Sequence, residues 1–175
     1  FLDWVAHHIS SNETLDKLAI IGLGKLGGSE PGYSSDWDVA FVYDSDDQAD
    51  NKALHAELVR VAEFILKASG ELRPRGANIE IDARLRPEGK KGDLVNSISA
   101  AKKYLIESAM TWEQQVQVKA RCVAGNAIVG EKYEQQISEI IFAHEPDESV
   151  LEEIRSMKSR MERERLKSEE RHKNV

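Results

Sequence analysis

Asp36 and Asp38 stand two residues apart at the start of an apolar run, behind the glycine-rich stretch Gly22-Leu23-Gly24-Lys25-Leu26-Gly27-Gly28-Ser29. In an extended strand, side chains alternate faces, so residues i and i+2 project together. Two carboxylates placed in this way are hard oxygen donors that can share magnesium ions bound to nucleotide phosphates. Asp82 adds a third acid in the alternating run from Ile79 to Arg86, with Glu80 and Arg84 on the same face. Three acids gathered together are costly to bury without cations or hydrogen-bond donors, and a two-metal site is the arrangement that uses them. Asp36, Asp38 and Asp82 are therefore the candidate metal ligands and catalytic acids, and the chemistry they suggest is nucleotidyl transfer. Gly27 and Gly28 lack a Cβ and would let backbone N–H groups approach a triphosphate. Ser29 could donate a hydroxyl to a phosphate oxygen, while Lys25, Arg84 and Arg86 could neutralise phosphate charge or pair with the acids.

Two better-known phosphate motifs compete for the same glycines. Gly22-x-Gly24-x-x-Gly27 after a strand matches the dinucleotide-binding fingerprint, with Asp44 about the expected distance downstream. That fingerprint requires a helix several turns long, yet Gly28, Pro31 and Gly32 intervene before the next strand and leave no room for one. A Walker loop is excluded because neither Ser nor Thr follows Lys25.

The elements that must position these residues follow from periodicity. Leu18 to Ile21 is a short, wholly apolar strand, and Asp36 to Tyr43 alternates as a second, joined to the first by the glycine loop. Between Asn51 and Ser69 the residues Leu54, Leu58, Val61, Ala62 and Ile65 recur at helical spacing, and Gly70 is expected to stop that helix. In the run from Ile79 to Arg86, Ile79, Ile81, Ala83 and Leu85 face the core. From Ser97, a plausible cap, the chain turns helical: Trp112 to Arg121 is read as one helix, with Trp112 in the core and Arg121 in an ion pair. Gly125-Asn126 breaks it, another helix runs to about Phe142, and a last one starts at Pro146-Asp147. Phe1 to Ile9 reads as the end of a further helix.

The fold class expected is α+β, a short mixed sheet with helices on one side and a helical C-terminal extension. Residues 1–125 would form the catalytic core and 126–175 an extension or a connector to another domain. The chain opens on Phe1 and stops inside a charged run, and so reads as a piece of something longer.

Composition narrows the partners. The 175 residues are 41% apolar, enough for one ordinary core, and carry a net charge of −7. A surface that grips a polynucleotide usually shows surplus Lys and Arg, so a nucleic-acid substrate is disfavoured. No apolar run approaches the ~20 residues of a membrane span, and no signal pattern opens the chain, which points to the cytoplasm. Cys122 is the single cysteine and reads as a small buried residue. His7, His8, His55, His144 and His172 are too scattered to suggest a metal centre.

Three ordered blocks carry a family resemblance: residues 22–38 from Gly22 through Asp38, Asp82-Ala-Arg-Leu-Arg-Pro-Glu-Gly89, and Trp112-Glu-Gln-Gln with Lys119-Ala-Arg-Cys-Val-Ala-Gly125. Together they resemble the glutamine synthetase adenylyltransferases of the DNA polymerase β-like nucleotidyltransferase superfamily. The resemblance implies that fold, with Gly27 and Gly28 holding the ATP phosphates and Asp36, Asp38 and Asp82 binding Mg2+. Asp82 would also help deprotonate the nucleophile. It implies transfer of AMP from ATP to a tyrosine of glutamine synthetase, with glutamine synthetase and the PII signal protein as partners. Family members carry two such domains, one adenylylating and one removing AMP by phosphorolysis. Gly32-Tyr33 and the run Met161-Glu-Arg-Glu-Arg165 look more like the adenylylating, C-terminal copy. The deadenylylating half is the alternative, and a nucleotide-sensing module without turnover is another of a different class. Trp37 and Pro31 depart from the smaller aliphatic residues usual in the family, and neither removes an expected metal ligand.

Overall fold

A computed structural model of the chain describes residues 12–32, 35–44, 52–72, 80–143 and 145–173, with backbone alone at 12, 13, 72 and beyond 163. The helix expected near the N-terminus and the core position expected for Ile79 lie outside the described residues.

A single helical turn, α1 (Asn12–Leu15), leads into β1 (Leu18–Gly22), which is buried along its whole length as its unbroken apolar run requires. A short turn of helix, α2 (Gly24–Gly27), reverses the chain into β2 (Trp37–Tyr43), and β1 and β2 pair antiparallel with Leu18 opposite Tyr43 and Gly22 opposite Val39. This is the glycine-linked strand pair expected, and the single turn confirms that no long crossover helix opens at Gly27. On the far side of β1 lies β5 (Arg121–Gly125), also antiparallel, with an irregularity between Ile20 and Ile21. Two short strands run parallel to β2 along its other edge: β3 (Ile81–Asp82) beside Trp37 and Asp38, and β4 (Val95–Ser97) beside Phe41 to Tyr43. The sheet is thus mixed and five-stranded.

Strand alternation gives this sheet two apolar faces. On one, Leu18, Ile20, Val39, Phe41, Ile81 and Ala83 pack with Leu58, Val61, Ala62 and Ile65 of helix α3 (Lys52–Leu72). On the other, Ala19, Ile21, Ala40 and Val42 pack with Ile98, Ala101 and Leu105 of α4 (Ile98–Glu107) and with Val129, Tyr133 and Ile137 of α6 (Ala127–Ile141). Helices therefore cover both faces rather than the one side expected, because β1 and β2 present apolar side chains in both directions. Each fully buried Leu, Ile, Val or Phe stabilises by roughly 1.5–3 kcal/mol.

The caps are local. Ser97 Oγ accepts the Ala100 amide at 3.1 Å at the start of α4, as expected, and Asn126 Oδ1 accepts that of Val129 at 3.1 Å at the start of α6. Between them α5 (Thr111–Gln117) is held by Glu113, whose carboxylate accepts from the Met110 amide and the Tyr104 hydroxyl at 2.9 and 2.7 Å. The segment expected as one helix from Trp112 to Arg121 is this short helix followed by β5. Gly70 does not end α3, which runs on to Leu72: a Cβ at Gly70 would meet no atom within 4 Å, so neither contact nor backbone forces a stop there.

Contacts divide the chain into one unit ending at Ile141 and a second starting at Phe142. The division expected after Gly125 is displaced because α6 contributes buried residues to the second apolar face. The second unit holds α7 (Glu148–Lys173), capped by Asp147, whose carboxylate accepts from the Val150 amide and Ser149 hydroxyl. Those two bonds hold the Asp147 carboxyl below its ordinary value. Ile137→Ala is expected to destabilise the fold by about 2–5 kcal/mol in urea denaturation. Met161→Ala, at a position 64% exposed, is expected to change it by less than about 0.5 kcal/mol.

Candidate active site

Register brings the acids together. Asp38 and Asp82 are direct partners across the parallel β2–β3 pair, so their side chains leave the same face of the sheet. The junction is closed by the Trp37 amide, which donates to Glu80 O at 2.7 Å. Strand alternation puts that face on the side of Ala40 and Val42, at the mouth of the α4–α6 layer. Asp36 lies one step before β2 and is exposed.

Their charges act on one another. The Asp38 carboxyl is pushed above its ordinary value by burial first, then by Asp82 and Asp36, with Arg84 and Lys25 opposing. The Asp82 carboxyl is held below its ordinary value, chiefly by the Arg84 side chain, although burial works against this. Arg84 folds back two residues: its amide donates to Asp82 Oδ1 at 2.8 Å, its Nε to Oδ2 at 2.6 Å, and a second guanidinium nitrogen completes the ion pair. Only 12% of the Asp82 side chain is exposed, against 60% of that of Arg84. Arg86 instead braces its own loop, donating to the carbonyls of Ala83 and Gly92.

The donor set suits a hard divalent cation, since the acids are oxygen ligands and the repulsion on Asp38 is what a cation would relieve. As they stand, however, no three His, Cys, Asp or Glu side chains among the described residues are grouped to hold a metal ion. Both Asp82 oxygens are engaged by Arg84 instead.

The glycine turn is built differently from the expected cradle. The amides of Gly27, Gly28, Ser29 and Glu30 donate to the carbonyls of Leu23, Gly24, Leu26 and Lys25, so none of the four points to a ligand. The room left by the missing side chains is also taken. A Cβ at Gly27 would lie 2.0 Å from Lys119 O, and one at Gly28 2.9 Å from Lys119 Cδ. Gly27 and Gly28 thus allow Lys119, two residues before β5, to approach the turn, which differs from the backbone cradle expected of them. Gly24 is the glycine that faces the acids: its φ is +51°, and a Cβ there would stand 3.2 Å from Asp38 Oδ2. The Leu23 amide fastens the same turn to Asp38 O at 2.9 Å. Ser29, at φ +59°, and Lys25 are both exposed, and the Lys25 charge reaches Asp38.

Sequence reasoning missed the group that grips this turn. Arg121 Nε donates to Gly27 O at 2.9 Å and its terminal nitrogen to Leu26 O at 3.2 Å, so it binds carbonyls and not the acid expected as its partner. Lys119 Nζ donates to both Glu30 oxygens at 3.0 and 2.9 Å. Trp112, expected in the core, is 38% exposed and lines a small cleft with Arg86 and Tyr104. Cys122 is only half-buried.

A family model described as glutamate-ammonia ligase adenylyltransferase matches residues 2–136. Among curated relatives, the bifunctional glutamine synthetase adenylyltransferase/adenylyl-removing enzyme of Chromobacterium violaceum is 38% identical over 146 residues, 83% of this chain and 16% of that protein. The enzymes of the same name from Acinetobacter baylyi and Nitrosomonas eutropha are 37% and 40% identical, each over 82% of this chain and 16% and 15% of their own length. The chain therefore spans about a sixth of the relatives it matches.

Two outcomes follow from this geometry. Because its folded-state pKa is raised, Asp38 binds its proton more tightly folded than unfolded, so it subtracts stability as pH rises from 3.8 through the raised value. Asp38→Asn is accordingly expected to raise the melting temperature in EDTA at neutral pH, and the gain should fade as the pH is lowered below 3.8. Gly27→Ala must displace the Lys119 backbone and is expected to cost about 1–3 kcal/mol in chemical denaturation.

Proposed function

Because the chain belongs to the glutamate-ammonia ligase adenylyltransferase family, we propose that it is the nucleotidyl-transferring part of a glutamine synthetase adenylyltransferase. In that reading it moves AMP from ATP to a tyrosine of glutamine synthetase, with pyrophosphate released. The observation that carries the reading is the in-register pair Asp38 and Asp82, with the Asp36 charge felt at Asp38. Burial first, and then Asp82 and Asp36, raise the proton affinity of Asp38, and a carboxylate perturbed by burial together with specific charged neighbours is a functional-site candidate.

Asp36, Asp38 and Asp82 would hold Mg2+, which when bound supplies charge neutralisation at the phosphate oxygens and activates the tyrosine hydroxyl. The chain's own residues do the rest. Asp82, kept anionic by Arg84, is the acid able to accept the hydroxyl proton once Arg84 turns to phosphate. Ser29 and Lys25, exposed on the turn beside Asp38, orient and neutralise the polyphosphate. The tyrosine oxygen forms a bond to the α-phosphorus in line with the departing pyrophosphate. Positioning and charge compensation supply most of the acceleration in phosphoryl-type transfers.

The adenylylating direction is supported by Gly32-Tyr33 and the run at 161–165. A second reading, phosphorolysis of adenylyl-tyrosine to ADP, draws on the relatives' bifunctional name. The PII signal protein as partner of the complete enzyme rests on the family resemblance. The cytoplasm as its compartment goes with the lack, among described residues, of a helix long and apolar enough to cross a membrane. In the complete enzyme, Asp38→Asn and Asp82→Asn are each expected to lower AMP incorporation into glutamine synthetase by about a hundredfold or more, since even outer-shell partners of a metal cost 10–100-fold. Radiolabelled ATP measures this directly, and undiminished transfer in either variant defeats the assignment. Phosphate-dependent ADP release from adenylylated glutamine synthetase, with no forward transfer by the same domain, selects the second reading.

A further inference from the structure

We propose that Lys119 binds the polyphosphate of the nucleotide, and that Glu30 holds its ammonium in place until the phosphates arrive. The inference rests on the nucleotidyl-transfer reading and deepens it. A turn that carries phosphates needs positive charge or free donors, and the four amides from Gly27 to Glu30 are all committed to carbonyls of the turn itself. The charge has to come from side chains. Lys119, 89 residues further along the chain from Glu30, lays its stem across the turn: a Cβ at Gly28 would lie 2.9 Å from its Cδ and 3.2 Å from its Nζ. The backbone beneath it is fixed, because Lys119 O packs against Gly27 and Arg121 donates to Leu26 O and Gly27 O. The Lys119 backbone and stem are thereby placed over the turn by contacts that do not depend on the charge.

What it meets there is an oxyanion. Both oxygens of the Glu30 carboxylate accept from Nζ, at 3.0 and 2.9 Å. The pair is open to water, with the two side chains 48% and 60% exposed, and an exposed pair of this kind is worth only about 0–1 kcal/mol. A phosphate carrying more charge and more acceptor oxygens can take the ammonium from it. The position also suits a polyphosphate: Gly24, beside Asp38, and Gly28, beneath Lys119, are separated by about one helical turn of roughly 5.4 Å. A chain of phosphates with one end at the acids would reach Lys119 with the other.

Titration calorimetry of the complete enzyme with ATP and magnesium, and with AMP for comparison, tests the proposal. Lys119→Met keeps the packed stem and removes the charge; it is expected to weaken ATP binding about tenfold, the loss of a charged hydrogen bond, and to leave AMP within about twofold, a difference under 0.5 kcal/mol. Lys119→Arg should restore most of the ATP affinity, and Glu30→Gln, which removes the competing anion, should tighten it. Unchanged ATP affinity in Lys119→Met, while the wild-type enzyme still transfers AMP, overturns the role of Lys119 alone. Equal weakening by Lys119→Met and Glu30→Gln would mark the ion pair as a structural tie and overturn it too. A wild-type enzyme that neither binds ATP nor transfers AMP would bring down both this proposal and the reading beneath it.

Discussion

Two carboxylates in register on neighbouring parallel strands repel one another, and strands stand only about 4.8 Å apart. The chain nevertheless places Asp38 beside Asp82 and sets Asp36 two residues away. Nothing in that arrangement helps folding, so the sheet around it must be stable enough to hold it. It is: β1 and β2 are covered on both faces, by α3 on one and by α4 and α6 on the other. The two faces of β2 divide the labour. Val39 and Phe41 anchor the strand under α3, while Asp38 opens onto the opposite face ahead of Ala40 and Val42. Moving the register of β3 by one residue would replace Asp82 by an apolar neighbour and bury the acid among hydrocarbon.

The glycine turn depends on a contact from far along the chain. Its amides close on their own carbonyls, which makes it a compact knot and not an open loop, and Lys119 and Arg121, just before and at the start of β5, pack against it. Pairing of β5 with β1 and capture of the turn by residues 119–121 are parts of one event, since the same segment does both. Gly27 and Gly28 are needed because the approach is too close for a side chain. Glycine-rich turns are usually credited with baring their backbone to a ligand; here bareness serves the fold.

Local chemistry was legible in the sequence, and distant chemistry was not. The strand identity of Leu18 to Ile21 and the Ser97 cap depend on neighbours within a few residues, and both appear as read, whereas the second strand begins at Trp37 and leaves Asp36 one step outside it. The rejection of a dinucleotide fold also held, because the glycines and proline after Gly27 leave no room for a helix. Gly70 misled because helix stops are read from composition, while a solvent-facing glycine costs only about 1 kcal/mol and breaks nothing by itself. The roles of Lys119 and Arg121 span 89 and 94 residues and follow no period, so no pattern could have found them. Trp112 was expected inside because large aromatics usually are, but α5 is a short helix tied at its start by Glu113, and its outer side meets water.

The acids can finally be weighed by charge. Asp36, Asp38 and Asp82 share their neighbourhood with Arg84 and Lys25, and Lys90 also acts on Asp82. The compensation is also uneven. Arg84 acts chiefly on Asp82 and lowers it, while Asp38 is raised by burial first and then by Asp82 and Asp36. On the proposed reading, two carboxylates in one site with proton affinities pushed in opposite directions would take different roles. An anionic polyphosphate would add to the repulsion on Asp38, and the Arg84 guanidinium, 60% exposed, is already engaged with Asp82. On the proposed reading, a divalent cation arriving with the nucleotide would offset the repulsion that Asp82 and Asp36 exert on Asp38.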